Sequence, residues 1–225
     1  MGKAVRRQGR LNLCAVEAAI GFIQPRLSAE ATGQGFLLRG DFLVFESGAI
    51  SNPAGPLTSF EIALFIPDNF PRSEPVLIET GGRIPRKEYR HINPDGDCCV
   101  TVWEHWLMSA AELSIAGYLN GPVNEYFLGQ YWYEKKGEWP FGERSHGRKG
   151  LVEAYADLLG VPPRERDLTY RLRLLAQDWP KGHWQCPCGS GRKLRLCHRE
   201  AMMELHQKIP PRMARRMLLR LRSQG

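Results

Sequence analysis

The sequence predicts an α+β fold: a small antiparallel meander sheet with flanking helices, followed by a compact ligand-rich module at the carboxyl end. Three observations predict it. Strand-like apolar segments are confined to residues 35–79, and helical periodicity occurs before and after them. Three cysteines and a histidine crowd into thirteen positions from Cys186 to His198.

The elements follow in order. Leu13, Val16, Ile20 and Ile23 recur at helical spacing within residues 11–24, and Pro25 ends the run. Gly35 to Phe45 reads as a strand interrupted at Gly40-Asp41, and Ser51 to Pro56 as a turn. Phe60 to Ile66 is a second strand with Phe60, Ile62 and Leu64 on one face. Pro67 to Pro75 is a proline-punctuated crossing, and Val76 to Glu79 a short third strand. Gly81 to Gly96 is polar and irregular, and residues 100–106 are short and aromatic. Helices resume over Ser109–Asn120 and Val123–Tyr133, then, after a loop from Gly137 to Gly147, near Leu151–Leu159 and Pro163–Gln177. No repeat or low-complexity segment interrupts this order. The expected domains are residues 1–178, with the helical extension, and residues 179–225.

Composition limits the function classes. The chain has 225 residues, 43% hydrophobic and 24% charged, as in a soluble globular protein. No apolar run approaches the length that spans a bilayer, and no apolar segment of signal-peptide character follows the basic start. Gly2 is followed by Arg6 rather than Ser or Thr, which argues against myristoylation. The six cysteines do not form a disulfide framework, so the reducing cytoplasm is the expected compartment. From Cys186 onward ten Lys or Arg stand against two Glu, so this segment carries +8 and the residues before it about −1, for a net charge of +7. Such a tail attracts nucleic acid or an acidic protein surface, or is a solvated helix face. No aromatic residue lies beyond Trp184, so base-stacking platforms are missing and nucleic acid is the less favoured partner.

Cys186, Cys188, Cys197 and His198 supply the thiolates and imidazole that zinc prefers, and four protein ligands close a tetrahedron with no position for a reactive water. The reading is a structural Zn2+ site, against the alternative of idle cysteines beside a coincidental histidine. Gly189, Ser190 and Gly191 provide the sharp turn that points amides back toward sulfur. These thirteen residues resemble the SEC-C motif, first known from the carboxyl end of a bacterial secretion ATPase. The resemblance implies a zinc-dependent docking or capping module and names no activity. After Pro210-Pro211, Met213, Met217, Leu218 and Leu221 share one face of a basic amphipathic helix, available to the main domain or to a partner.

The chemistry is expected in the long loop, because extended irregular backbone inside a compact domain tends to carry function. Asp97-Cys98-Cys99-Val100 closes it just after Gly96. Thiol chemistry needs an accessible nucleophile and a donor for the developing oxyanion. Asn93 has an amide that can donate, and His91 can brace the loop.

At these residues the chain resembles the ubiquitin-conjugating enzymes. Asn69-Phe-Pro-Arg-Ser-Glu-Pro75-Val76 matches their proline segment, and His91-Ile92-Asn93 matches His-Pro-Asn with isoleucine in the middle. Gly96-Asp97-Cys98-Cys99-Val100 matches the cysteine motif, with Cys98 at its isoleucine and Cys99 as the nucleophile. Trp103 or Trp106 falls near the tryptophan that follows. The resemblance runs over residues 11–130, and its specific part is about thirty residues long. Two departures stand out: six residues separate Asn93 from Cys99, and residues 134–178 have no counterpart in the minimal eukaryotic fold. Divergent bacterial relatives, found in phage-defence operons with ubiquitin-like proteins, activating enzymes and JAB-type peptidases, depart comparably. Some also carry a segment similar to Glu143–Gly147.

The resemblance implies a transferase that receives a ubiquitin-like protein from a ubiquitin-activating-type enzyme as a thioester on Cys99 and passes it to an amine on a protein target. It implies Asn93 and His91 as supporting residues and no membrane partner. The other classes are a non-catalytic adaptor of the same fold, a cysteine peptidase using Cys99 with His105 or His146, and a nucleic-acid binder acting through the tail.

Overall fold

The computed structural model describes residues 11–46, 55–140 and 145–223. The expected turn at Ser51–Pro56 and the Glu143–Gly147 segment lie partly outside these residues, and the amino-terminal MGKAVRRQGR wholly so. In chain order the elements are helix α1 (Leu13–Ile23) and strands β1 (Leu27–Thr32), β2 (Gly35–Val44), β3 (Thr58–Pro67) and β4 (Val76–Glu79). Helices α2 (Trp103–Ser109), α3 (Ile115–Tyr118) and α4 (Asn124–Lys136) come next. They are followed by α5 (Gly147–Leu159), α6 (Glu165–Leu175), α7 (Arg199–Lys208) and α8 (Pro211–Ser223).

By contacts the chain forms two compact units. The first comprises residues 1–101 and 110–142, the second residues 102–109 and 143–225. The domains expected from the sequence divide at residue 178. The contacts instead group α5 and α6 with the tail, because Tyr155, Leu168 and Leu172 are buried in one cluster with Met217 and Leu221 of α8.

The first unit is built on a four-stranded antiparallel sheet of order β1-β2-β3-β4. Its alternation follows the pleat: Phe60, Ile62, Leu64 and Ile66 of β3 are all buried. The register runs from Gly35 opposite Pro67 to Val44 opposite Thr58, and β4 pairs Leu77 with Leu64. Strand β1 was not expected from the sequence. Its Leu-Ser-Ala-Glu-Ala-Thr has one buried residue, Leu27, so it lacks the apolar alternation that marks a strand. Gly40 permits the chain entering β1 to pass close against β2, since a Cβ there would lie 2.2 Å from the Arg26 carbonyl oxygen.

Helix α1 buries Val16, Ile20 and Ile23, the face its spacing predicts. Gln24, just past its end, accepts from the Leu43 N–H at 2.7 Å and donates to the Leu43 carbonyl at 2.9 Å. Asn124 does the same for Phe45, at 2.9 and 2.8 Å, so two side-chain amides complete the bonding at the end of β2. From α4, Phe127 stacks on Phe60 at 4.7 Å and meets Phe42 at 5.4 Å, fixing that helix on the sheet's apolar face. The helix expected from Ser109 begins only at Ile115. It continues through a π-helical segment, Leu119–Val123, because Pro122 lacks an N–H and clashes with the regular ladder. The Phe70–Pro71 peptide bond in the proline segment is cis.

The second unit is helical. Glu104 of α2 is 0% exposed, and it accepts from the Tyr155 hydroxyl at 2.9 Å and from Arg216 Nε at 2.7 Å. Arg220 Nη1 adds a third contact at 3.4 Å. Removing a carboxylate from water is expensive, and here three donors from α5 and α8 compensate it. The apolar stripe of α8 is not left for a partner: Met217 and Leu221 are buried, with Met213 and Leu218 packed against the same cluster. No helix among the described residues is long and apolar enough to cross a membrane.

Candidate functional site

Two separate sites emerge, a thiol-bearing hairpin in the first unit and a cysteine–histidine cluster in the second. The hairpin is the closing part of the long loop. Ile92 and Cys98 face each other in an antiparallel bridge, flanked by Asn93 N–H to Asp97 O and Cys99 N–H to His91 O, both 2.8 Å. The turn between them closes with the Gly96 N–H on the Asn93 carbonyl at 2.9 Å, and Gly96 takes the left-handed φ of 92° that it needs. A further bond, Cys98 N–H to Leu77 O at 2.7 Å, ties the hairpin to β4.

This register separates the two adjacent cysteines, because successive residues of an extended strand point to opposite faces. Ile92 and Cys98 are both 6% exposed, whereas Cys99 is exposed. Burial pushes the Cys98 thiol from 9.0 up to about 11, although a hydrogen bond with Tyr126 offsets part of the rise. Cys98 is thus a protonated core thiol and Cys99 the accessible one. Buried Tyr118 and Tyr126 lie close enough to both sulfurs for negative charge there to add to the effect of burial, and both phenols are held protonated.

The residues expected to assist Cys99 have defined places. Asn93 is exposed, and its side-chain amide donates to Asp97 Oδ2 at 2.9 Å, tying the two hairpin arms beside the turn. His91 adopts φ 52°, takes Cys99's N–H on its carbonyl and sets its ring edge-on to Trp139 at 4.7 Å. The hairpin's approach is braced from α4. Gln130 donates to the Arg90 carbonyl at 2.7 Å and accepts from Arg90 Nε at 2.9 Å, and the buried guanidinium lies over Tyr133 at 4.7 Å. The Tyr126 hydroxyl reaches the Arg90 and His91 carbonyls at 3.4 Å. Sequence reasoning missed Tyr126, Gln130 and Tyr133, although their i, i+4 and i+7 spacing on α4 marks one helix face. His105 on α2 and His146 at the start of α5 belong to the second unit, and the hairpin to the first. Trp103 and Trp106 are buried and stacked at 4.6 Å on α2.

The cluster in the second unit assembles as its spacing predicts. Gln185 and Lys193 bridge, the Cys186 N–H bonds Arg192 O at 2.8 Å, and Gly189 and Gly191 take positive φ at the turn. One ligand atom from each of Cys186, Cys188, Cys197 and His198 lies within 4.8 Å of all the others. Cys188 Sγ is 3.6 Å from Cys197 Sγ, and His198 Nδ1 is 3.3 and 3.2 Å from Cys186 Sγ and Cys197 Sγ. A tetrahedron with bonds of about 2.0–2.3 Å has edges of about 3.3–3.8 Å, so the donor set fits a small metal ion. Ser190 lowers the Cys188 thiol from 9.0 to about 6 through its hydroxyl and backbone amide, while burial raises that of Cys186.

Residues 185–200 match the SEC-C motif family. Comparison with curated proteins and with solved structures finds no match for the chain. The protein is therefore an α+β chain that ends in a SEC-C metal-binding module.

Proposed function

We propose that the protein is a conjugating enzyme that carries a ubiquitin-like modifier on Cys99 and transfers it to an amine, and that its fold is of the ubiquitin-conjugating type. The observation that carries this reading is the hairpin itself: of two adjacent cysteines, the one at the motif's nucleophile position is exposed and the other is buried. The order of a helix, an antiparallel meander, a proline segment, the His91–Asn93 turn and the thiol supports it.

In this reading Cys99 Sγ attacks the carbonyl of a modifier held as a thioester on an activating enzyme. The new carbon–sulfur bond replaces the old one, and the activating enzyme's thiol leaves. A target amine then attacks the same carbonyl, the Cys99 thiolate departs, and the surplus ammonium proton passes to solvent as the amide forms. The chain's own contribution is positioning. The Asn93–Asp97 tie and the His91 carbonyl hold the sulfur's strand, and the Arg90–Gln130 clamp holds the strand before it. Asn93 and His91 thus act here through the hairpin's stiffness. Modifier, activating enzyme and protein target are the partners, in a bacterial defence setting and a cytoplasmic one.

The cluster in the second unit holds Zn2+ in this reading, through three thiolates and His198 Nδ1, and the ion supplies cross-linking rather than reactivity. Reconstitution tests the proposal. Wild type incubated with modifier, activating enzyme and ATP should form a reductant-labile adduct that discharges onto added lysine. An adduct equally abundant on Cys99→Ala would overturn it.

A further inference from the structure

The first unit holds a cavity of about 410 Å³ lined by the end of β4, by parts of residues 80–86 and by Ile92 and Gly96 of the hairpin. Ile84, Pro85 and Ile92 give it apolar walls, and Glu79 contributes a carboxylate. Glu79 is only 9% exposed as a residue. Its Oε1 accepts from the Arg83 N–H at 3.2 Å and its Oε2 from the Ile84 N–H at 3.3 Å. Each oxygen keeps a further lone pair, and among the described residues no cation pairs with it. The neighbouring Arg83 directs its guanidinium elsewhere, to Glu134, Thr58 and the Ser59 carbonyl.

Buried charges are ordinarily paired, and a carboxylate held by two neutral amides at a cavity wall leaves attraction for a cation unused. The walls suit the methylene stem of such a group. Ile78, exposed on β4 and part of the cavity lining, offers apolar contact to the chain beside an inserted residue. We propose that this cavity receives a lysine or arginine side chain of a partner polypeptide, its cationic head on Glu79. Arg86, whose guanidinium lies over Gly96 on the same wall, is a like charge that weakens rather than creates the site. The inference is independent of thiol transfer, since its ligand binds the chain in the absence of any modifier.

Amide chemical shifts of the full chain, titrated with Nα-acetyl-lysine methylamide, Nα-acetyl-arginine methylamide and the norleucine analogue, test it. One or both cationic probes should shift Ile78, Ile84, Ile92 and Gly96 saturably, and the better probe names the side chain. Norleucine should bind about tenfold or more weakly, and Glu79→Gln should bring the cationic probes to its level. Arg86→Ala should bind no more weakly than wild type. Equal binding of norleucine, no saturable shift by about 50 mM of either cation, or loss of binding in Arg86→Ala would each overturn the proposal. The probe comparison on wild type stands even where Glu79→Gln fails to fold.

Discussion

Alkylation of the folded protein should separate Cys98 from Cys99. The Cys98 thiol, pushed from 9.0 up to about 11 by burial, holds about a hundredfold less thiolate than an ordinary cysteine at any pH below 9. At pH 8 that is about one chain in a thousand, before the shielding of a side chain that is 6% exposed is counted. Iodoacetamide followed by peptide mapping should therefore modify Cys99 and exposed Cys14 first and leave Cys98 intact until the chain unfolds. The same burial links stability to pH. The fold favours the protonated thiol, so its contribution is complete below pH 9 and is lost as pH rises from 9 through about 11. A hundredfold preference corresponds to about 3 kcal/mol, and the difference in unfolding free energy between wild type and Cys98→Ala should narrow by that order across this window. Labelling of Cys98 at the rate of Cys99, or a pH-independent difference, would refute the opposed-face arrangement of the hairpin.

Other consequences follow from the second unit and from the hairpin's tie. In chelator-treated protein at pH 7, Cys188 should alkylate faster than Cys186, because Ser190 holds it near pKa 6 while burial raises its neighbour. Bound metal should protect both, and its affinity should fall as the pH is lowered, because protons compete with the ion for the thiolates. Metal analysis by mass and thermal unfolding with and without chelator check this. Glu104→Ala should destabilise the chain by about 3 kcal/mol in denaturant titration, since it strands the buried Tyr155 hydroxyl and two arginines. Asn93→Ala should lower stability by only about 1 kcal/mol, its bond being exposed, yet slow discharge of a Cys99 thioester by loosening the turn.

Local features were legible in the sequence and distant ones were not. The metal cluster could be read because all four ligands fall within thirteen residues and the glycines at its turn are required by their positive φ. Strand β4 was read from Val76 to Glu79, and α1 was read from its buried face. Strand β1 escaped because an edge strand of small and polar residues is specified by its partner β2 rather than by its own pattern. Helix α2 overlaps residues 100–106, legible only as a short aromatic stretch, since its anchor is the pairing of Glu104 with Arg216 and Arg220, more than a hundred positions away. The α8 stripe was visible, but its destination against α5 and α6 was a property of the packed core. The motif resemblance separates Cys98 from Cys99 in role; the bridge between Ile92 and Cys98 supplies the physical difference, burying one side chain and leaving the other exposed.

The most direct measurement is covalent capture in the native host. Tagged wild type, Cys99→Ser and Cys99→Ala chains are isolated under denaturing conditions, and the mass added at residue 99 is mapped. The account predicts a ubiquitin-like carboxyl terminus on wild type that reductant removes, the same group on serine as a reductant-resistant oxyester, and nothing on alanine. Residue 99 unmodified in both wild type and Cys99→Ser, in cells whose ubiquitin-like protein and activating enzyme are expressed, would contradict it.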